Sequence, residues 1–545
     1  MSPSLTIPDL SVSDLLLRGY FHDRMVPPLN TRGLAPALPD LIARARSLMQ
    51  QASTNRYRNA LPVRSRCVKH SVPKRKHLRR ILSIPNPLHQ SVLCCETVDH
   101  WQELYSLCKE SSLSLTCPKV SATRALEFEH DRQEEIKERA RRSVASRYVL
   151  RTDLTRFYPS IYTHSIGWAV HGKALARADT SNALYGNRLD LWIRETQDKQ
   201  TGGIPIGPDT SYLLAEVIAS RLDMILQEKI GPALRGTRYV DDYNLYFDSL
   251  SDAERALAAL HAAAREFELE INDLKTRIME VPEALEPSWK TQLRGMELSD
   301  QTTPTALKAL FDRASELAKE NPQDSVLTYV AKMILSAQIN QDHWELCETL
   351  LLRAAVGEPG LMASLLKIYE KNDALPSDML QRTLESLCQY HSPLYQGYEI
   401  AWILWIARAL KIKLPVEAAR AVQTIDDDVV ALLALDLMAS GLMPQVETPV
   451  WDAHLNADGL YSEHWLLAYE AYEHGWRNPV GGADYIAADP YGCFRILSDH
   501  KVLFYNPEIT PDAGPDFYDE IAEDPENTAE AKGDEALPFE SDLGL

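Results

Sequence analysis

Two adjacent carboxylates, Asp241 and Asp242, offer the clearest chemistry in the sequence. Residues that favour β-structure flank them, with Tyr239 and Val240 before and residues 245–247 after. This pattern predicts a β-hairpin with the two carboxylates at its tip. One aspartate at such a tip is ordinary turn chemistry, but two side by side repel each other unless a cation lies near them. The tip is therefore a candidate site for a divalent metal ion.

A third carboxylate and a glycine-rich loop support this interpretation. Asp153 lies near the end of a predicted strand at 148–154, and the loop at 202–211 precedes a predicted helix. Nucleotidyl transfer uses two Mg²⁺ ions about 3.5–4 Å apart, and Mg²⁺ binds carboxylate oxygens, phosphate oxygens and water. Asp153, Asp241 and Asp242 are therefore the predicted catalytic and metal-binding residues, with Mg²⁺ or Mn²⁺ as the ion.

A basic stretch precedes these residues in the chain. Between residues 41 and 90 there are twelve Lys or Arg residues and no Asp or Glu. Residues 62–87 alternate basic with apolar side chains, which predicts a strand pair with a basic face. A charge run is usually a solvated face, but the lack of counter-charge favours a phosphate-binding surface. Residues 511–545 hold twelve acidic residues, so the net charge of −20 does not exclude a nucleic-acid partner.

The elements that must position the carboxylates belong to an α+β domain, predicted at 61–300. Between residues 148 and 271 the order is strand, helix, loop, helix, hairpin, helix and a short strand at 269–271. This order predicts a small antiparallel sheet with helices on one face. Asp209 or Thr210 is expected to cap the helix that follows the glycine-rich loop. An N-terminal helical segment is expected at 1–60.

The second half of the chain has a different pattern. From about residue 304 strand signals nearly vanish, and helices of 10–16 residues follow one another with short connections. This predicts an all-α domain at 301–475 made of stacked, HEAT-like helical hairpins, although the sequence has no clean repeat. A closing segment rich in Gly, Pro and aromatic residues is expected at 476–510. The acidic tail at 511–545 has few large apolar residues and is expected to be disordered.

The cysteines and the hydropathy of the chain indicate in which cellular compartment the protein is expected. The eight cysteines are scattered without Cys-x-x-Cys spacing, which indicates reduced, mostly buried thiols and no zinc site. No apolar run approaches the roughly 20 residues of a membrane span, and the N-terminus lacks the pattern of a secretion signal. We therefore expect a cytoplasmic protein without a membrane partner.

Several motifs, in the expected order, resemble those of reverse transcriptases over about residues 60–300. They are the Tyr-x-Asp-Asp signature at 239–242, the first catalytic motif at 153–158, the glycine loop at 203–211, Asn272 with Lys275, and the fingers segment at 79–87. Residues 157–168, Gly172 with Lys173, and residues 238–242 are similar to those of abortive-infection (AbiK-like) and other defence-associated bacterial reverse transcriptases. In that group a reverse-transcriptase-like fingers and palm domain is fused to an α-helical repeat domain.

The resemblance implies roles for individual residues beyond the three carboxylates. Tyr158 matches the aromatic residue that excludes a ribose 2′-OH, although a plain core tyrosine is the alternative. Gly207 matches the glycine over which the incoming nucleotide lies. Lys275 matches a lysine near the leaving phosphates, with an exposed lysine of no special role as the alternative. Arg79 and Arg80 are both candidates for binding the triphosphate, and the sequence does not choose between them.

One departure from the templating enzymes bears on function. They usually carry Gln between Pro and Gly in the second motif, whereas this chain has Ile206, which cannot hydrogen-bond through its side chain. The resemblance implies an anti-phage DNA polymerase that joins dNTPs into single-stranded DNA without a template. It also implies priming from a tyrosine, with DNA covalently attached, and homo-oligomers. Tyr20 and Tyr57 are priming guesses only. The alternatives are a conventional enzyme that copies a bound RNA, and a catalytically silent nucleic-acid-binding scaffold.

Overall fold

The computed structural model describes residues 7–54, 61, 63–75, 78–296, 298, 302–477 and 484–508. The predicted acidic tail at 511–545 lies outside the described residues, as does Tyr57. All eight cysteines are buried and free, as the sequence predicts. Within the described ranges, no helix combines the length and the apolar character needed to cross a membrane.

The predicted N-terminal helical segment contains two helices, α1 (Val12–Leu17) and α2 (Leu38–Thr54). The loop between them contacts the predicted closing segment near the other end of the chain. Leu29 and Tyr505 form an antiparallel bridge, and the backbone N–H of Asn30 donates to the carbonyl of Phe504 at 2.9 Å. The first and last described segments therefore pack together.

The predicted basic strand pair is present. Strands β1 (Val68–Arg75) and β2 (Leu78–Ile84) are antiparallel, with Val68 paired to Ile84. Five further elements lead to the central sheet. They are α3 (Pro87–Asp99), α4 (Trp101–Lys109), β3 (Pro118–Val120), β4 (Leu126–Phe128) and α5 (Arg132–Arg142).

The central sheet has four antiparallel strands in the order β6-β7-β5-β8. Helix α11 contacts both β5 and β7, and α10 packs on α11 and α4. The small antiparallel sheet and its covering helices agree with the prediction. The elements are β5 (Tyr148–Asp153), α6 (Phe157–Ser160), α7 (Ser165–His171), α8 (Lys173–Ala178), α9 (Tyr185–Glu195), α10 (Asp209–Ile230), β6 (Arg235–Tyr239), β7 (Asp242–Phe247), α11 (Leu250–Glu266) and β8 (Arg277–Glu280).

The strand predicted at 269–271 is wrong. Only Ile271 makes a bridge there, with Leu154. The chain then turns, with the N–H of Lys275 donating to the carbonyl of Asn272 at 3.1 Å, and β8 pairs with β5 instead. One isolated bridge directly before a turn is too short to form a strand. The residues that pair with β5 are instead Arg277–Glu280, after the turn.

The second half is helical, as the sequence predicts. Helices α14, α16, α18, α20 and α22 contact one another in sequence and form one row, while α13, α15, α17 and α19 form another. The helices are α12 (Ser288–Arg294), α13 (Pro304–Glu320), α14 (Val326–Ser336), α15 (Trp344–Gly357), α16 (Met362–Lys371), α17 (Asp378–His391), α18 (Gly397–Ala409), α19 (Val416–Val422), α20 (Asp428–Ala439), α21 (Pro449–Asp452), α22 (Trp465–Glu473) and α23 (Cys493–Asp499).

The helical half packs against the basic strand pair. Helices α18 and α20 contact β1. The Arg79 guanidinium donates to the buried carboxylate of Glu399 at 2.7 Å, and the indole N–H of Trp465 donates to the carbonyl of Ile84 at 3.1 Å. Part of the basic stretch therefore serves this internal contact.

Candidate active site

The predicted hairpin is present, and its turn is strained. Strands β6 and β7 pair with Tyr239 opposite Asp242, so Val240 and Asp241 form the turn. Val240 has a φ of 55°, a left-handed conformation that β-branched residues rarely adopt. Its carbonyl accepts a hydrogen bond from Arg238 at 2.9 Å, and its N–H donates to the Thr116 hydroxyl at 3.2 Å. The surrounding residues thus hold the turn in this conformation.

A buried ion cluster lies beneath the turn and was not predicted. Arg238 is fully buried and binds both Glu216 and Asp223 at 2.7 Å. The Tyr243 hydroxyl donates to Asp223 at 2.8 Å. Glu216 and Asp223 are seven residues apart on α10, so they share one helix face. The sequence signal that could have revealed the cluster is this seven-residue spacing of two acidic residues on one helix, together with Arg238 next to the hairpin turn.

The structure brings the three predicted carboxylates together. Asp153 and Asp242 are paired residues of β5 and β7, and the N–H of Leu154 donates to the carbonyl of Asp241 at 3.1 Å. Asp153 is buried. One of its oxygens binds the ammonium of Lys275, while Oδ1 has no hydrogen-bond partner among the described residues. A buried carboxylate oxygen without a donor needs a cation or a proton.

The electrostatics of the site also favour a cation. Burial, together with the charges of Asp242 and Asp153, raises the pKa of Asp241 to about 6. Burial and Asp153 raise the pKa of Asp242 as well, against the opposing charges of Arg132 and Lys275. Three crowded carboxylates with an orphaned oxygen are the donor set that Mg²⁺ or Mn²⁺ binds. The residues present therefore fit a divalent ion.

The carboxylates lie on the wall of a cavity of ≈ 2180 Å³ between the sheet domain and the helical half. A pocket for one small ligand measures about 300–1,000 Å³, so this space is larger than one nucleotide needs. Its lining includes all eight predicted site residues. They are Arg79, Arg80, Asp153, Tyr158, Gly207, Asp241, Asp242 and Lys275.

The two arginine candidates differ in their surroundings. The Arg79 guanidinium forms an ion pair with Glu399 and also donates to the carbonyl of Ser71 at 2.7 Å. Arg80 lies close enough to Asp241 and Tyr158 for their charges to act on it, while burial and Arg24 lower its pKa. The two arginines therefore differ: Glu399 binds Arg79, whereas the charge of Asp241 acts on Arg80.

The glycine-rich loop joins Tyr158 to the basic strand pair. The N–H of Ile204 donates to the carbonyl of Tyr158 at 3.1 Å, and the N–H of Ser83 donates to the carbonyl of Ile206 at 2.8 Å. Gly207 has a φ of 147°, and a Cβ there would lie 3.0 Å from the Ser83 carbonyl oxygen. Only glycine fits both the conformation and the space. Burial raises the pKa of Tyr158, with Glu216 and Asp241 adding to the effect.

The predicted cap of α10 is wrong. The residue before the helix is Pro208, and no side chain caps the helix. Asp209 instead accepts hydrogen bonds from the Arg124 guanidinium at 2.8 Å and from the N–H of Leu126 at 2.9 Å. Burial raises the pKa of Asp209 to about 6, against the opposing charge of Arg124. A tertiary ion pair has displaced the local cap.

Arg132 is a second residue of the site that sequence reasoning missed. Its guanidinium lies 3.8 Å from the ring centroid of Tyr239 and donates to Glu135 at 2.9 Å. Its charge acts on Asp242. Arg132 lies 110 residues before Asp242 in the chain, within a helix of mixed charge, and no motif marks it.

With this geometry in place, comparison with known proteins gives a family for the central region. Residues 102–307 match the family described as Reverse transcriptase (RNA-dependent DNA polymerase). The chain contains a reverse transcriptase domain. It is an RNA-directed DNA polymerase-like nucleotidyltransferase. Six of the predicted site residues fall within the reverse transcriptase domain, and Arg79 and Arg80 precede it.

Solved structures and curated proteins were also compared with the chain. Telomerase from Candida albicans, in a structure with a fragment of telomeric RNA, is similar with a TM-score of 0.29 and 9% identity, over 65% of this chain and 68% of that one. Apo telomerase from Candida tropicalis is similar with a TM-score of 0.31 and 11% identity, over 69% and 66%. No curated protein matches the chain.

Proposed function

We propose that this chain joins dNTPs into single-stranded DNA at Asp153, Asp241 and Asp242. The observation that carries the proposal is the meeting of these carboxylates at one point, with Asp153 Oδ1 lacking any donor among the described residues. Two bound Mg²⁺ ions supply activation of the attacking oxygen and stabilisation of the leaving pyrophosphate. Mn²⁺ has the same oxygen preference and is the alternative ion.

The chain's other residues bind and orient the nucleotide in this proposal. Arg80 binds the triphosphate, because Arg79 is already paired with Glu399. Lys275, which pairs with Asp153, contacts the leaving phosphates in this proposal. Tyr158 blocks a ribose 2′-OH, and Gly207 lets the nucleotide approach the loop backbone. The large cavity gives the growing strand room beside the helical half.

Synthesis proceeds without an ordinary template in the proposed reaction. The backbone carbonyl of Ile206 is taken by Ser83, and its apolar side chain packs against the core. The side chain therefore offers no hydrogen bond to a template base or to the nucleotide paired with it. The second candidate is RNA-templated synthesis, which the family description RNA-dependent DNA polymerase favours.

Priming from a tyrosine is the remaining part of the reaction. A phenol oxygen would attack the α-phosphorus of a dNTP, lose its proton and release pyrophosphate, which leaves the DNA covalently attached. Tyr20 is fully buried and donates to the Pro85 carbonyl, so it is a poor primer. Among the described tyrosines that line the cavity, Tyr390 stands out because it is 64% exposed. We take Tyr390 as the primer candidate.

The biological setting rests on the sequence resemblance to abortive-infection enzymes. On that basis the chain acts in anti-phage defence, is cytoplasmic and assembles into homo-oligomers. The two rows of helices in the second half support a HEAT-like repeat arrangement. Such rows offer extended surfaces for subunit contacts or for the product.

An incorporation assay tests the catalytic part of this proposal. Purified protein is incubated with Mg²⁺ and each labelled dNTP, and Asp242→Asn is compared with Asp248→Asn. Asp248 follows the same strand but is exposed and pairs with Arg235. Loss of incorporation in Asp242→Asn alone supports the proposal. Equal activity in wild type and Asp242→Asn would overturn it.

A further inference from the structure

A second cluster of metal-ligating side chains lies in the helical half, away from the three carboxylates. Asp426, His454 and His464 each place one ligand atom so that all three lie within 4.8 Å of one another. The Nε2 atoms of His454 and His464 lie 3.6 and 3.7 Å from Asp426 Oδ1. A tetrahedral ion with bonds of 2.0–2.1 Å separates its ligands by about 3.3 Å. The separations of the ligand atoms are therefore close to those around a bound ion.

A neighbouring carboxylate fixes the orientation of His464. Its Nδ1–H donates to Asp428 at 2.8 Å, and Asp428 also accepts from the N–H of Leu467 at 3.0 Å. This leaves Nε2 of His464 directed at Asp426. Zinc-binding histidines commonly donate their other ring N–H to a carboxylate in the same way. Both the ligand and the residue that orients it are thus in place.

The segment that carries both histidines is tightly closed. The rings of His454 and His464 are stacked with centroids 3.6 Å apart. Gly459 lies between them in the chain, and a Cβ there would lie 1.9 Å from the carbonyl oxygen of His454. This close approach restricts the segment to glycine at that position. The two ring planes are 18° apart, and an imidazole binds a metal in its ring plane, so the partly exposed His454 ring must turn out of the stack when an ion binds.

We propose that Asp426, His454 and His464 bind one Zn²⁺ ion with a structural role. Two imidazoles and one carboxylate suit Zn²⁺ better than Mg²⁺, which prefers oxygen ligands. A water molecule completes the tetrahedron. None of the three residues is among those that line the large cavity, so this site is separate from the polymerase carboxylates. It also departs from the expectation of no zinc site, because that expectation considered cysteine spacing only.

The position of the cluster indicates what the ion does. Asp427, between Asp426 and Asp428, caps α20 and accepts a hydrogen bond from Nδ1 of His70 on β1 at 2.9 Å. Glu463, next to His464, binds Arg66 at 3.0 Å. The ion therefore joins two segments, one that contacts β1 and one that contacts Arg66, just before β1. Binding of Zn²⁺ should fix the helical half against β1.

Metal titration of the full chain tests this site. Protein freed of metal with a chelator is titrated with Co²⁺ in excess Mg²⁺, and visible absorption reports tetrahedral Co²⁺. Wild type should bind one more equivalent than Asp426→Asn or His454→Gln. The control is His261→Gln, on α11, which should bind like wild type. Equal stoichiometry in wild type and in both cluster variants would overturn the proposal.

Hydrogen exchange on wild type gives an answer even if a cluster variant does not fold. Addition of Zn²⁺ in excess Mg²⁺ should slow amide exchange at residues 454–464 and 68–75 several-fold. Exchange at α11 should not change. Unchanged exchange at residues 454–464 would contradict the proposed site.

Discussion

Asp153 and Asp242 are directly paired across the antiparallel strands β5 and β7. Paired residues point to the same face of a sheet, with Cβ atoms about 4.5–5.5 Å apart. Asp241 adds its charge from the adjoining turn, and Lys275 neutralises only one oxygen of Asp153. The fold therefore holds negative charges together at a cost in stability, which is reasonable for a site that binds cations.

The first prediction concerns that cost. The pKa of Asp241 is raised from 3.8 to about 6. Its protonated form therefore stabilises the metal-free fold below about pH 3.8, and this contribution is lost as the pH rises through about 6. Asp241→Asn should raise the free energy of unfolding in EDTA at pH 7 by about 1–3 kcal/mol while abolishing incorporation.

Urea unfolding in EDTA at pH 5 and pH 7 checks this result. The increase in the free energy of unfolding caused by Asp241→Asn should be smaller at pH 5, because more of the wild-type Asp241 carboxyl is protonated there. Asp248→Asn, which changes an exposed carboxylate directly after β7, should leave stability almost unchanged. A destabilised Asp241→Asn at pH 7 would argue against the electrostatic account.

The second prediction separates the two neighbouring arginines. Arg80→Ala should raise the KM for dNTPs roughly 10- to 100-fold, because a charge-assisted contact to the triphosphate is lost. Arg79→Ala should instead lower the free energy of unfolding by about 1–3 kcal/mol, because it leaves the buried Glu399 unpaired. Steady-state kinetics and urea unfolding of both variants test the assignment. Reversed effects would exchange the two roles.

The third prediction concerns sugar selection. Tyr158→Ala should reduce discrimination against ribonucleotides roughly 10- to 100-fold, because a steric barrier to the 2′-OH is removed. Tyr158→Phe keeps the ring and should retain the discrimination. The ratio of kcat/KM for a dNTP and the matching NTP is the measurement. An unchanged ratio in Tyr158→Ala would leave Tyr158 as a core residue only.

The fourth prediction concerns priming. Tyr390→Phe should remove DNA that stays attached to the protein after denaturation, because the attacking phenol oxygen is gone. Tyr395→Phe is the matched control, since Tyr395 is equally exposed but is not among the residues lining the cavity. Intact mass and nucleotide content of each protein, as purified from cells, report the attachment. Unchanged attached DNA in Tyr390→Phe would exclude this residue as the primer.

Much of the site could be predicted because its residues sit in short local patterns. Patterns of ten residues or fewer predict each of three features: the hairpin of Asp241 and Asp242, the strand that ends at Asp153, and the loop that contains Gly207. The helices of the second half follow from periodicity. Their contact with the basic strands does not, because the partners Arg79 and Glu399 are 320 residues apart.

Contacts between distant parts of the chain account for the features that the sequence predicted wrongly or did not reveal. Asp209 was expected to cap a helix, but Arg124 from a distant segment binds it. Arg238 was visible beside the hairpin, yet its burial against Glu216 and Asp223 depends on the packing of α10 under the sheet. Strand β8 was missed because its position depends on the free edge of β5. Such pairings are decided by tertiary structure rather than by local pattern.

The most direct test of untemplated DNA synthesis is a single incorporation experiment on nuclease-treated protein. Purified protein is digested with RNase and DNase, freed of both, and given Mg²⁺ and all four dNTPs with or without a defined RNA. The account predicts DNA of the same amount and composition in both reactions, and none from Asp242→Asn. DNA that forms only with the added RNA, and whose sequence is complementary to it, would contradict the account and establish templated synthesis.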